Sequence, residues 1–433
     1  MLTYSRLLLA KKTWLSVHRW MGLIVGFWFA MLGLTGSISI YRAELDALLN
    51  PELVISASPG QHYQSLDKII ATIHQRHPSR YGAWTLEMPK SNSDVLTAWY
   101  DKPQETYFDY YAPLMVTVNP YTGEIISERF WGQTLTTWIL DLHTQLRFGE
   151  FGWQSVGILG ILMFMSVATG MYLWRPSLNE IKRIVVLRQL PLIQFFFLAH
   201  KHIGFLASPL LLVLIFTGIQ LSFPKFLPAL IGSEELSHGN NGQTVLSTAK
   251  PNNKPVRLDE AEFIARAPFP KAEVRRITIP VGETGAYRVN LRQSNELNHS
   301  HPMTMVWLDR WSGHIKDVQN PNSFSFGQSL LTWLWPVHTG EAFGASGRLL
   351  GFITGLLPGY FYVTGLLHWL QKRRWINDKT LDVIACGRQI RYNSAKIMSL
   401  LKAAIIAYTP KCQAKLNDWR QKLGKLVQSF KSQ

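Results

Sequence analysis

Four histidines stand in two matched pairs. His18 and His200 are related by an offset of 182, and His143 and His338 by an offset of 195. The first offset also carries Thr35-Gly36 onto Thr217-Gly218. The second carries Phe148-Gly149 onto Phe343-Gly344, Gly152 onto Gly347, Gly160 onto Gly355, Thr169-Gly170 onto Thr364-Gly365 and Trp174 onto Trp369. So many coincidences at fixed spacing identify a tandem repeat. Each histidine borders a long apolar run, where an ionisable group is costly and therefore functional by default. A pseudo-twofold packing brings His18 toward His200 and His143 toward His338, making two bis-imidazole sites, one near each membrane face. Bare zinc usually wants four ligands, and no cysteines or carboxylates cluster here to supply them. Haem iron takes four nitrogens from its macrocycle and needs only two axial side chains. No Cys-x-x-Cys-His motif is present, so the expected cofactor is two non-covalent haems of the b type. Arg19 and Lys201 flank the inner histidines and either pair haem propionates or snorkel to the interface. His202 and His368 are reserve ligands for the inner site. His299-Ser300-His301 reads as surface histidine rather than a metal site. Nothing resembles a P-loop, a dinucleotide-binding fingerprint or a hydrolase triad.

These sites need helices to hold them. Four apolar runs reach the ~20 residues that cross a bilayer: about 14–41, 153–174, 195–223 and 349–370. Arg6, Lys11 and Lys12 precede the first. Arg175, Lys182, Arg183 and Arg188 lie between the second and third, and Lys372, Arg373 and Arg374 follow the fourth. The positive-inside rule puts all of these in the cytoplasm. The first run is too long for a signal-peptide core and no A-x-A site follows it, so it reads as a retained anchor. Glycines such as Gly22, Gly26, Gly33, Gly36, Gly160 and Gly355 leave room for close helix approach or an enclosed ring. Trp131, Trp138, Trp153, Trp333 and Trp335 read as an aromatic belt.

The segments outside the runs carry strand alternation. In the first half, residues 66–77 read as an amphipathic helix and 83–88, 95–100, 115–118 and 124–127 as strands, with a turn at Asn119-Pro120-Tyr121-Thr122-Gly123. In the second half the helix is 258–266 and the strands are 274–279, 286–291, 303–308 and 315–318, with the equivalent turn at Asp309-Arg310-Trp311-Ser312-Gly313. Each half thus holds a small α+β module. The polar stretch 233–255 reads as a linker. The expected layout is a cytoplasmic start and first span over 1–41, a module over 42–142, two spans over 143–223, a second module over 224–337, a fourth span over 338–371 and a basic tail over 372–433. The fold class is a membrane α-helical protein, a four-transmembrane-helix bundle with two small α+β modules.

Composition agrees. The 433-residue chain is 47% hydrophobic and 17% charged, and its mean hydropathy is near zero at +0.02. Disorder is excluded by sixteen Trp and twenty-two Phe. The net charge of +16 is concentrated in the tail, which holds fourteen Lys or Arg against three acids. The tail also has amphipathic stretches near 397–408 and 416–430. This basicity reports orientation and contact with anionic lipid, not a nucleic-acid partner. Cys386 and Cys412 both fall in the tail, so no disulfide is expected.

The sequence resembles the PepSY-associated transmembrane family. The resemblance rests on His18 to Gly22 with Leu34-Thr35-Gly36, the turn Asn119 to Glu124, His200 to Gly204 with Thr217-Gly218, and His338-Thr339-Gly340-Glu341 with Gly344 to Gly347. It covers about residues 12–374. Where the second half has Gly340-Glu341, the first has Gln145-Leu146, a departure from symmetry at the outer site. The resemblance is to iron-regulated inner-membrane proteins, some of them dihaem ferric-siderophore reductases, and implies periplasmic PepSY modules, haem b and a role in iron uptake. The expected function is an oxidoreductase, an inner-membrane electron conduit. Electrons enter at His18 and His200 from a quinol or a cytoplasmic donor, pass to His143 and His338, and reduce a ferric siderophore in the periplasm. The alternatives are a PepSY-type regulator binding a periplasmic peptidase, and a siderophore or iron transporter component.

Overall fold

The computed structural model describes residues 2–56, 60–176, 192–233, 245–248 and 254–376. The basic loop residues Lys182, Arg183 and Arg188, most of the 233–255 linker, both cysteines and the tail beyond residue 376 lie outside the described residues. Contacts divide the chain into two units, Met1–Ile181 with Ala199–Gly365, and Lys182–Leu198 with Leu366–Gln433. In the second unit His368 stacks on Phe197 with ring centroids 3.8 Å apart, and Trp369 packs edge-on against Trp375.

The first unit begins with α1 (Leu2–Ile24), α2 (Gly26–Ile40) and α3 (Arg42–Leu49). Next come α4 (Leu66–Arg76), the strands β1 (Trp84–Glu87), β2 (Leu96–Tyr100), β3 (Leu114–Val118) and β4 (Ile125–Phe130), and the helices α5 (Leu135–Gln145) and α6 (Gly149–Leu173). The second half runs α7 (Leu192–Ser222), α8 (Phe226–Ile231), α9 (Leu258–Arg266), β5 (Glu273–Thr278), β6 (Ala286–Arg292), β7 (Thr304–Asp309), β8 (Ile315–Gln319), α10 (Phe326–Thr339) and α11 (Gly344–Lys372). Among the described residues three stretches are long and apolar enough to cross a membrane: Gly149–Leu173, Ile193–Ser222 and Glu341–Lys372. The first apolar run, expected over about 14–41, is the pair Ala10–Ile24 and Gly26–Ile40, bent by 57°. Backbone bonding continues through the bend, from Val25 N–H to Met21 O at 2.9 Å and from Phe29 N–H to Val25 O at 3.1 Å. Gly22 and Gly26 flank it, as is usual for a kink without proline. A Cβ on Gly26 would stand 2.7 Å from Cδ2 of Tyr362, so the glycine also admits that ring.

Small residues set the helix contacts. Ser37 on α2 donates to Phe352 O of α11 at 2.8 Å, where Gly33 lies against Gly355 and Pro358. On the other flank, Trp153 Nε1–H of α6 donates to Ser222 O of α7 at 3.0 Å, and Gly157 and Gly160 receive Phe223 and Ile219. Pro209 leaves the Phe205 carbonyl without its helical donor, and the Ser208 hydroxyl bonds it at 2.7 Å.

The expectation of two separate modules is corrected. All eight strands form one antiparallel sheet in the order β4-β3-β2-β1-β5-β6-β7-β8. Alone, each half would leave β1 or β5 as an edge with unpaired N–H and C=O groups. Pairing Thr85 with Thr278, Leu86 with Ile277 and Glu87 with Arg276 removes both edges. A pseudo-dyad runs through this seam, marked by the Thr85–Thr278 hydroxyl contact at 3.1 Å. The two helices obey the same symmetry. Asp67 accepts from the Leu258 N–H at 2.9 Å, and Asp259 accepts from the Leu66 N–H at 2.7 Å and from the Ser65 hydroxyl. Each helix thus has its orphan N-terminal donors capped by the other. One core, including Ile69, Ile73, Trp84, Leu86, Ala261, Ile277 and Leu308, lies between these helices and one face of the sheet.

Candidate functional site

His143 and His338 are the residues that the fold moves furthest from a linear reading. Neither is the lead-in of a span. Each sits in the last turn of its own helix, α5 or α10, and a left-handed turn separates that helix from the span that follows. In the second half Gly340 (φ 78°) makes the turn without strain; in the first half Leu146 (φ 49°) and Arg147 (φ 61°) must do so. A buried clamp holds the latter. Asp141 accepts from Trp131 Nε1–H at 2.8 Å and pairs with Arg147 at 2.9 Å. The sequence departure at Gln145-Leu146 therefore has a local compensation.

These turns let α5 and α10 fold back beside α2 and α7. The His143 ring lies over Gly36, and its Nδ1 donates to Leu32 O at 2.9 Å. The His338 ring lies over Gly218, with Nδ1 at 3.1 Å from Leu214 O and 3.0 Å from Thr217 Oγ1. At the other end, His18 faces Gly170, its Nδ1 at 3.0 Å from Ser166 O and 3.2 Å from Thr169 Oγ1. His200 faces Gly365, with Nδ1 at 2.8 Å from Thr364 Oγ1. Each histidine thus packs against a Thr-Gly pair on the other apolar helix of its own repeat. A carbonyl only accepts, so Nδ1 carries the proton in His18, His143 and His338. This tautomer puts the lone pair of those three rings on Nε2, the arrangement that a metal-ligating histidine needs. The His200 partner is a hydroxyl, which can donate or accept and also lies 2.8 Å from Tyr360 O.

The structure brings the outer pair ring to ring. His143 and His338 have centroids 6.2 Å apart and planes inclined by 33°. Among the described residues no three His, Cys, Asp or Glu side chains gather as a metal site. Two imidazoles without further donors fit haem, which brings its own equatorial nitrogens. The glycine cradles fit as well, since a Cβ at Gly36 would stand 2.7 Å from His143 Cε1.

The remaining predicted residues have other surroundings. His200 packs edge-on to Phe361, at 5.1 Å. Arg19 lies over Trp20 at 5.7 Å and reaches Ser16 at 3.5 Å, consistent with snorkelling. Lys201 lies over Trp174 at 5.5 Å. His202 is buried edge-on against the same Trp174 at 4.6 Å. His301 packs on Trp335 at 4.7 Å, and Ser300 donates to Glu341 at 2.9 Å, tying the β6–β7 loop to the start of the last span. The threonines were missed as site residues. Their signal was the Thr-Gly pair at four repeat-matched positions, which served only to align the repeats.

Apolar helices of membrane-crossing length and an antiparallel sheet outside them define a multi-span membrane protein. The chain belongs to the PepSY-associated TM region family, which it matches over residues 15–372. No curated protein matches it.

Proposed function

We propose that this protein conducts electrons across a bacterial inner membrane, holds two b-type haems between paired imidazoles, and reduces a ferric siderophore on the periplasmic side. The observation that carries the reading is one device used four times, a histidine whose Nδ1 bonds the facing apolar helix while its ring lies beside a Thr-Gly pair. Bound haem supplies one-electron chemistry. His143 and His338 orient the outer group, and His18 and His200 the inner one. The threonines and backbone carbonyls fix the ring tautomers, and the apolar helices exclude water. The ferric ion is substrate. Once reduced it is a softer cation with a weaker hold on hard oxygen donors, so the chelate releases it. The electron comes from a quinol or a reduced soluble protein on the cytoplasmic side. The basic residues around Arg175 and Lys372 support that orientation, with the sheet and four spans arranged around it.

The purified full-length protein should be red, with a reducible b-type spectrum and about two haems per chain. His143→Ala or His338→Ala should each remove one of the two signals. A colourless, folded preparation would refute the conduit. A second reading, a regulator that binds peptide, has one observation in its favour: the groove along edge strand β4, lined by Arg76, Ile125 and Glu128, could accept an added strand. It gives the four histidines no role.

A further inference from the structure

One face of the sheet carries the core, and the other is built for something else. Strand register sets a row across this second face: Arg129, Met115, Trp99, Thr85, Thr278, Arg288, Trp307 and Asp317 are successive cross-strand partners. The face looks toward the helices, since Arg129 pairs with Asp46 of α3 at 3.0 Å and Asp46 also accepts from Thr136 of α5. Two guanidinium groups there make no ion pair with a carboxylate among the described residues, although the charges of Glu87 and Asp46 act on Arg42 and that of Asp101 acts on Arg288. Arg42, at the start of α3, forms no ion pair or hydrogen bond among the described residues and lies over Trp131 at 5.2 Å. Among the described residues Arg288 bonds only the Thr278 hydroxyl, at 3.1 Å, and its Nε is buried without a partner. Arg276 shares Glu87 with Trp99, at 3.5 Å and 3.0 Å. A sheltered arginine whose counter-charges lie beyond contact keeps N–H donors that an added anion can take.

Aromatic rings converge on the same place. Trp131 meets Trp99 at 5.9 Å and Tyr111 at 5.4 Å. Tyr111 is 48% exposed. Its hydroxyl is nevertheless pushed up to about 12, first by loss of surrounding water and then by the charge of Asp101. Trp99 and Arg288 stand three strands apart, about 14 Å at the backbone, which leaves room for a compact chelate between them. Trp131 also reaches Asp141, two residues before His143.

We infer that Arg42, Arg276 and Arg288, with Trp99, Trp131 and Tyr111, form the binding site for an anionic ferric chelate whose ligand carries aryl rings. The arginines take the negative charge, and the rings stack on the aryl groups. The inference deepens the proposed reduction by naming its substrate class and by placing that substrate next to the outer histidine pair. It rests on that reading only for the identity of the metal.

The test uses the full-length protein in nanodiscs and a redox-inert probe, the gallium(III) tris-catecholate trianion, with neutral gallium tris-acetohydroxamate as the comparison, read by titration calorimetry. The catecholate complex should bind. Arg42→Gln and Arg288→Gln should each weaken it about tenfold or more. Arg42→Lys should recover part of the loss, and the neutral complex should bind at least about tenfold more weakly. Arg42 has no structural bond to lose; should Arg288→Gln not fold, Trp99→Leu tests the other half of the site. The inference fails if the catecholate complex does not bind, if the neutral complex binds as well, or if Arg42→Gln binds like the parent. It also fails if Arg42→Gln leaves gallium affinity intact and lowers haem content instead, because the arginines would then serve haem carboxylates. Arginine-dependent binding by a colourless protein would uphold the site and refute the conduit.

Discussion

A histidine in an apolar helix bundle can be an anchor or a ligand, and its hydrogen bond distinguishes the two. An anchor turns both nitrogens to whatever polar group is nearest. Here all four rings commit the same nitrogen, Nδ1, to the facing helix, and all four stand over a glycine. The space over that glycine is graded. A Cβ would meet the imidazole Cε1 at 2.7 Å for Gly36, 3.1 Å for Gly218, 3.2 Å for Gly170 and 3.8 Å for Gly365. Substitution by alanine should therefore perturb the sites in that order. Gly36→Ala should cost about 1–3 kcal/mol from overpacking and shift the outer site's absorbance, whereas Gly365→Ala should leave spectrum and thermal midpoint unchanged. An effect of equal size at all four positions would show that the glycines serve helix packing alone. The histidine positions were legible in the sequence because they repeat. Their tautomers were not, since each depends on a carbonyl or hydroxyl more than a hundred residues away.

Elements were the most legible level. Every sheet strand lies within about two or three residues of its expected range, because strict alternation and the Asn119 and Asp309 turns mark the ends. Both turns use a side-chain oxygen to hold the chain. Asn119 Oδ1 accepts from the Tyr121 N–H at 2.9 Å, and Asp309 accepts from the N–H groups of Trp311 at 2.9 Å, Ser312 at 3.0 Å and Thr248 at 2.8 Å. Burial works against ionisation of Asp309, and these backbone donors more than offset it, holding its carboxyl well below the usual carboxylate range. A depressed folded-state value means that the stabilisation is complete above the unfolded pKa of about 4 and is lost as pH falls below it. The thermal midpoint should therefore fall between neutral pH and pH ~3, and Asp309→Asn should flatten that fall while lowering the midpoint at neutral pH. An unchanged slope in the variant would assign the acid sensitivity to other groups. The helices α5 and α10 were less legible. Their apolar faces run on into the following spans, and only the left-handed turns at Leu146 and Gly340 divide them.

At the scale of the whole molecule, the proposed orientation puts the sheet and the tail on opposite sides of the membrane. In sealed right-side-out vesicles, an impermeant maleimide should label a cysteine placed at Ser127 on β4 and spare Cys386 and Cys412, which should react only after permeabilisation. Labelling of all three in intact vesicles would overturn that topology. The seam between β1 and β5 belongs to this scale too. It makes the two repeats one body outside the membrane, so the pairing of His143 with His338 is supported from above by the sheet as well as from within by helix contacts.

The sequence by itself determined the repeat, the apolar runs, the strand and turn positions and the four matched histidines, because each is written in local periodicity or fixed spacing. Tertiary structure decided what depends on contacts between distant segments. It bent the first apolar run at Val25, fused two edge strands into one sheet and turned α5 and α10 back onto the helices that cradle their histidines. It also gathered Arg42, Arg276 and Arg288 with three aromatic rings on a single face. The physical reason is the same in each case. Unpaired backbone edges and orphan ring nitrogens must find partners, and in this chain the partners lie in the other segment or the other repeat.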